Sequence, residues 1–238
     1  MSPRGRIFEV DALAFSLTLW RWPFVENRAA DIAAHWARRH AVQPALFNGR
    51  ILLMHERPVL IEASERTLTG AYFETGYADY LAFRDLGFPE PDVGNCFSMA
   101  ALRSADGAFI LGEMAEHTAN AGVSYFPAGT PDLSDVRGAK VDLEANLVRE
   151  LKEEAGIALT EVEPQPRWVV VDAWPRVACF RTLGLRSSAE AAAARIERFI
   201  AEERQPEFSR THVVRKIEDA LALRCPPFVL DFLRYAFA

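Results

Sequence analysis

The sequence has few cysteines, no long apolar run and no excess of positive charge. Its three cysteines, Cys96, Cys179 and Cys225, are widely spaced and odd in number. That pattern argues against a disulfide framework or a zinc site and is typical of buried thiols, so it predicts a reducing, cytoplasmic location. No apolar stretch is long enough to cross a bilayer, so no membrane segment is predicted.

The charge balance limits the class of partner. Acidic residues outnumber basic ones by 33 to 27, which gives a net charge of −6. A negative chain is not expected to bind nucleic acid or an anionic membrane surface. A phosphorylated small molecule is still a suitable partner, because a metal ion and a few cations can dominate one site. Half of the residues are hydrophobic, enough for one large domain or for a domain with an added module.

The stretch from Gly129 to Ile157 carries the strongest local signals. Its second half predicts a helix that begins after Asp142, whose carboxylate suits the N-cap position. The helix is expected to end at Gly156, where a left-handed C-cap residue is needed. An apolar stripe at every fourth position predicts the buried face. Its members are Leu147, Leu151 and Ala155.

The same helix carries three glutamates, Glu150, Glu153 and Glu154, at spacings of three and four residues. These spacings bring the carboxylates to one patch, where they repel one another. Arg149, four residues before Glu153, offsets part of that repulsion. Carboxylate oxygens suit a hard divalent ion such as Mg²⁺ or Mn²⁺, which commonly bridges to substrate phosphates. The alternative is a solvated acidic face that binds no metal.

The surrounding motif resembles the Nudix box. Residues 149–157 read R-E-L-K-E-E-A-G-I and match its catalytic half, R-E-U-x-E-E-x-G-U, in which U is aliphatic. Residues 126–129, F-P-A-G, resemble the strand and glycine that open the box. The resemblance implies a Nudix fold, which is an α+β fold of the α/β/α sandwich type with a mixed sheet. It also implies metal-dependent hydrolysis of nucleoside diphosphates that are linked to another group.

The resemblance implies a role for each matching residue. Glu153 and Glu154 would be metal ligands, and Glu150 would orient or deprotonate the attacking water or join the metal shell. Arg149 would hold the glutamates by ion pairing, and the Gly129 carbonyl would be a further ligand. Nudix enzymes often add one carboxylate from the C-terminal region. The candidates here are Glu202, Glu203 and, in a predicted loop, Glu207.

The first half of the box departs from the family pattern. The family has a glutamate eight residues before the arginine, and Val141 stands there in this chain. Counting forward from Gly129, the sixth residue on is Asp135, but six extra residues then separate it from Arg149. We interpret residues 130–140 as an enlarged loop that shapes the substrate pocket. The divergence leaves open a Nudix-fold binding or regulatory protein without catalysis.

A glycine- and proline-rich stretch, residues 86–94, marks the best domain boundary. It predicts an N-terminal α+β module over residues 1–92 and a Nudix hydrolase domain over residues 93–238. We expect the module to line one side of the substrate cleft, with a structural or homodimerising role as the alternative. Three side chains are candidates for contacts with substrate phosphates. They are Arg84, Arg103 and His117.

A helix predicted over residues 28–40 is followed by P-A-L-F-N-G-R at residues 44–50, then by strands and by Y-L-A-F-R-D at residues 80–85. This order, ahead of a Nudix-like portion with an enlarged box loop, resembles the UDP-sugar diphosphatase branch of the Nudix family. A small-molecule nucleotide, first of all a UDP-sugar, is therefore the expected substrate. ADP-ribose, dinucleotide and coenzyme A-type diphosphates are the alternatives within the same reaction class.

Overall fold

Two mixed β-sheets and the helices around them form the α+β fold of this chain in the computed structural model, which describes residues 5–238. The strands are β1 (Arg6–Val10), β2 (Ala12–Leu17), β3 (Arg50–Met54), β4 (Val59–Glu62), β5 (Arg66–Gly76), β6 (Asn95–Arg103), β7 (Phe109–Met114), β8 (Ser124–Tyr125), β9 (Val136–Arg137), β10 (Lys140–Val141), β11 (Glu163–Ala173), β12 (Arg176–Gly184) and β13 (Phe208–Val214). The helices are α1 (Pro23–Asn27), α2 (Ala29–Val42), α3 (Tyr77–Asp85), α4 (Leu143–Ala155), α5 (Ala189–Glu202), α6 (Ile217–Leu221) and α7 (Pro227–Ala236). The sandwich class predicted from the sequence is confirmed at the level of an α+β fold with mixed sheets.

The larger sheet has the order β1-β11-β12-β6-β7-β13, with β8 paired to β7. The β12–β6 pair is parallel, and the other pairs are antiparallel. All residues of β6 but the last are buried, as expected for a central strand covered on both faces. Helix α4 lies against β6, where the Ser98 hydroxyl donates to Asn146 Oδ1 at 2.7 Å. The apolar stripe predicted for α4 is buried, as expected.

The smaller sheet has the order β3-β5-β2-β10-β9, with β4 also paired to β5. An aromatic cluster packs between this sheet and helices α1 to α3, and each of its large rings is almost fully buried. The cluster includes Trp22, Phe24, Phe73 and Phe83. Burying rings of this size stabilises the N-terminal part of the chain.

Each sheet includes strands from both sides of the boundary predicted at residue 93. Strand β1 pairs with β11 along its whole length, from Arg6 opposite Asp172 to Val10 opposite Trp168. Conversely, β10 from the C-terminal part of the chain pairs with β2 from the N-terminal part. The two parts of the chain therefore share backbone hydrogen bonds. The division into modules 1–92 and 93–238 stays a prediction about units that fold on their own.

The segment predicted as an enlarged loop, residues 130–140, is more ordered than expected. A 3₁₀ turn over Leu133–Asp135 leads into the hairpin of β9 and β10, with Gly138 at φ 63° in its turn. The expectation of a plain loop is wrong because β2 presents unpaired backbone groups at its edge, and β10 pairs with them. Among residues 5–238, no helix is both long and apolar enough to cross a membrane.

Candidate active site

Helix α4 is fixed at both ends by the residues that its sequence indicated. Asp142 Oδ1 accepts hydrogen bonds from the backbone N–H groups of Glu144 and Ala145, each at 3.0 Å. Gly156 takes the left-handed conformation at φ 64°. A Cβ at this position would lie 2.4 Å from the Phe199 ring of α5. The predicted start and end of the helix are confirmed, and they fix the position of every side chain along α4.

Glu150 is held between Arg149 and the backbone of Gly129. Its carboxylate Oε1 lies 2.8 Å from Arg149 Nη1, and the residue is only 7% exposed. A Cβ at position 129 would lie 1.9 Å from the same oxygen. Any residue larger than glycine would therefore displace the carboxylate. The close approach explains the glycine without any unusual backbone angle.

Glu154 lies deeper, next to Glu207. It is 2% exposed, and its Oε2 accepts a hydrogen bond from the Ala128 N–H at 2.8 Å. Burial raises the pKa of Glu154 well above its usual value, and the charges of Glu150 and Glu207 raise it further. Burial likewise raises the pKa of Glu150 to about 8, against the opposing effect of Arg149. Of the three C-terminal carboxylates considered, the structure brings Glu207 to this cluster.

Glu153 does not join the buried group. Its side chain is 57% exposed, and its Oε2 lies 3.1 Å from Arg149 Nη1. Glu150 and Glu154 are buried, so the alternative of a solvated acidic face is wrong for those two glutamates. The reason is that the loop of residues 127–129 lies against them. Glu202 and Glu203, at the end of α5, are exposed and line no part of the cavity, whereas Glu207 is also exposed but lines it.

Arg149 also pairs with a carboxylate from outside its helix. Asp135 is 1% exposed, and its Oδ2 accepts from Arg149 Nη2 at 3.0 Å and from Asn146 Nδ2 at 3.1 Å. Val141, which occupies the position of the family glutamate, is buried in β10. Asp135 thus supplies the buried partner of Arg149 across the inserted hairpin. The only signal for it in the sequence is its spacing of six residues from Gly129.

A cavity of about 520 Å³ opens beside these groups. Gly129, Arg149, Glu150 and Glu207 line one part of it. The segment before residue 93 contributes further lining side chains, namely Ile51, Tyr77, Tyr80 and Arg84. Arg176 and Arg224 complete the set of arginines in its wall.

The structure separates the three phosphate-contact candidates. Arg84 lines the cavity, Arg103 lines a different one, and His117 is not among the lining residues. Tyr77 and Tyr80 belong to the N-terminal segment that was expected to line the cleft, whereas the sequence patterns missed Arg176 and Arg224. No local motif marks these residues, because the fold brings them together from distant segments.

The donor set suits a hard divalent cation. Glu150, Glu154 and Glu207 offer only carboxylate oxygens, the ligands that Mg²⁺ and Mn²⁺ prefer. Glu150 and Glu154 are buried, whereas Glu207 is exposed. Burying two like charges is unfavourable without a counter-charge, and a metal ion would supply one. Within residues 5–238, however, no three His, Cys, Asp or Glu side chains are close enough to hold an ion as they stand. Metal binding would therefore require a small movement of these side chains.

The chain is similar to several solved structures in fold, but it matches no curated protein in sequence. No protein-family model matches the sequence either. Solved structures with similar folds include the MutT protein from Methanosarcina mazei, at 19% identity and TM-score 0.39 over 60% of this chain and 92% of that one. The Nudix hydrolase RenU from M. smegmatis is 14% identical, with TM-score 0.37 over 60% and 81% of the two chains. DR0079 from Deinococcus radiodurans is 13% identical, with TM-score 0.48 over 80% and 100%. At these values the likenesses do not decide the family, so the site itself has to indicate the function.

Proposed function

We propose that this chain is a divalent-metal-dependent hydrolase that cleaves the diphosphate linkage of a nucleoside diphosphate derivative. The observation that carries the proposal is that Glu150 and Glu207 line one cavity, with Glu150 packed on Gly129 and the buried Glu154 interacting with both carboxylates. The match of residues 149–157 to the catalytic half of the Nudix box supports the same reaction class.

The side chains of the site suit distinct tasks. Glu150 faces the cavity, so we assign to it the orientation and deprotonation of the attacking water. Arg149 holds that carboxylate in place through its 2.8 Å ion pair. Glu154 and Glu207 are the proposed metal ligands, with Glu153 and the Gly129 carbonyl as further donors. A bound Mg²⁺ or Mn²⁺ ion would neutralise phosphate oxygens and lower the pKa of the water.

Asp135 weakens the case for an inactive relative. The departure in the first half of the box suggested a binding or regulatory protein that had lost catalysis. In the structure, Arg149 nevertheless has a buried carboxylate partner in Asp135, at 3.0 Å. The support for Glu150 is thus present despite the valine at position 141.

The cavity suits a nucleotide substrate. Its volume of about 520 Å³ lies within the range of roughly 300–1,000 Å³ for small-molecule sites. Tyr77, Tyr80 and Phe228 in its wall provide aromatic surface for a base. A UDP-sugar is the first substrate we propose. ADP-ribose, dinucleotides and coenzyme A-type diphosphates are the alternatives.

A substrate panel tests the reaction class. The purified chain would be incubated with UDP-glucose, ADP-ribose, a dinucleotide and coenzyme A, with Mg²⁺ or with EDTA. We expect a phosphomonoester product, such as a nucleoside monophosphate, from at least one substrate with Mg²⁺ and none with EDTA. Binding without turnover under every condition would contradict hydrolysis and favour the binding-protein alternative.

A further inference from the structure

Arg84 and Arg224 make one rim of the cavity positively charged. They lie beside residues 118–121, which we call the rim loop. Arg84 Nη1 donates a hydrogen bond to Asn120 Oδ1, and Arg224 Nη1 donates to the carbonyl of Ala121, each at 3.3 Å. Both arginines line the cavity. Because the two acceptor residues are adjacent, both guanidinium groups lie on the same stretch of the rim.

Positive charge is in excess at this rim. Asp85 lies 3.0 Å from Arg84, but the same carboxylate also faces Arg39 at 3.9 Å and His35 at 3.0 Å. Arg224 has no carboxylate within 4 Å among the residues the structure describes. Even with His35 neutral, Asp85 pairs with Arg39 and Arg84 but leaves Arg224 without a carboxylate partner among the described residues. Such a surplus in a chain of net charge −6 indicates a place for an anion.

The arginines of the rim and the carboxylates of Glu150 and Glu207 line one cavity. Asn120 of the rim loop donates to the Tyr125 hydroxyl at 3.4 Å. Burial raises the pKa of Tyr77 to about 12, and the charges of Arg84 and Glu207 act on it in opposite directions. Tyr77 lines the same cavity as Arg84 and Glu207. A ligand in the cavity therefore meets both carboxylates and arginines.

We infer that Arg84 and Arg224 clamp a phosphate of the substrate in this cavity. The inference rests on the proposed function, because it assumes that the same cavity holds the diphosphate. Arginine forks match phosphate oxygens and bind them with charge-assisted hydrogen bonds. A metal ion bound by the carboxylates would leave the positive charges of Arg84 and Arg224 without an anion. The clamp fixes which end of the diphosphate points toward Glu150.

Binding of phosphate in EDTA tests the clamp without any turnover. Inorganic phosphate and UMP would be titrated calorimetrically into wild type, Arg224→Gln and Arg224→Lys. We expect the glutamine variant to bind both about tenfold more weakly, since one charge-assisted interaction is lost. The lysine variant should be intermediate, because it keeps the charge but loses the fork. Arg198→Gln, which removes an exposed charge on α5, is the matched control and should bind like wild type.

Kinetics with Mg²⁺ then identify the source of the phosphate. Coenzyme A and dephospho-coenzyme A differ by one phosphate monoester. The change in KM of Arg224→Gln for each substrate, relative to wild type, therefore shows which phosphate the clamp binds. A rise for both substrates places the clamp on the diphosphate, whereas a rise for coenzyme A alone places it on the monoester. Equal phosphate affinity in wild type and Arg224→Gln would overturn the clamp and leave the hydrolase proposal intact. Phosphate binding that weakens in Arg224→Gln, without turnover of any substrate, would support the clamp and contradict the hydrolase proposal.

Discussion

At the scale of single residues, the contact between Glu150 and Gly129 leaves no room for a side chain at position 129. In Gly129→Ala the new methyl group would lie 1.9 Å from Glu150 Oε1 and push the carboxylate away. We expect kcat to fall by about a hundredfold, as when a catalytic group is displaced by an ångström, with little change in Tm. Gly184→Ala is the control, since its nearest new contact is at 3.5 Å. An unchanged kcat in Gly129→Ala would show that this contact does not position the carboxylate.

Asp135 makes a second prediction at this scale. In Asp135→Asn an amide N–H group would face the donors of Arg149 and Asn146, which now converge on a carboxylate. We expect the free energy of unfolding to fall by about 2–3 kcal/mol, measured by urea denaturation. Asp132→Asn is the control, because Asp132 is partly exposed and 3.9 Å from Arg149. Equal stabilities of the two variants would mean that Asp135 adds no more than a surface charge.

At the scale of elements, the end of α4 is set by backbone conformation and by its contact with α5. Gly156→Ala strains the left-handed position by about 1–2 kcal/mol and also drives a methyl group to 2.4 Å from Phe199. Gly138→Ala has a similar φ, with nothing within 4 Å of the added group. We expect a larger drop in Tm for Gly156→Ala, and the difference measures the contact between the helices. Similar Tm values would show that this contact tolerates the change.

The same elements show what the sequence could predict. The limits of α4 follow from Asp142 and Gly156, which are local signals next to the helix. The hairpin of β9 and β10 has no such signal, because it forms by pairing with β2, more than a hundred residues earlier. The burial of Glu150 and Glu154 was missed for the same reason, since it depends on the loop of residues 127–129.

At the scale of the whole molecule, the exchange of strands links the two predicted modules. Residues 93–238 alone would lose β1 from the edge of β11 and β2 from the edge of β10. We expect this fragment not to unfold cooperatively, whereas residues 5–238 give one transition in thermal circular dichroism. A cooperative transition in the isolated fragment would instead support an independent domain.

The cavity also belongs to the whole molecule. It combines Tyr77 and Arg84 from α3, Glu150 from α4 and Arg224 from the segment before α7. The carboxylates could be predicted because they form a dense motif. Arg84 was among the candidates for phosphate contacts, but its partner Arg224 could not be predicted, because only the fold brings both arginines to residues 118–121.

The central claim is that Glu150 acts in metal-dependent hydrolysis. Its most direct test is the rate of product formation by Glu150→Gln at saturating Mg²⁺, on the best substrate of the panel. Glu202→Gln makes the same chemical change on the exposed end of α5 and serves as the control. We predict a loss of about 10²–10⁴-fold for Glu150→Gln, the range for a lost general base, and a wild-type rate for Glu202→Gln. A wild-type rate in Glu150→Gln would contradict the assignment of this buried carboxylate to catalysis.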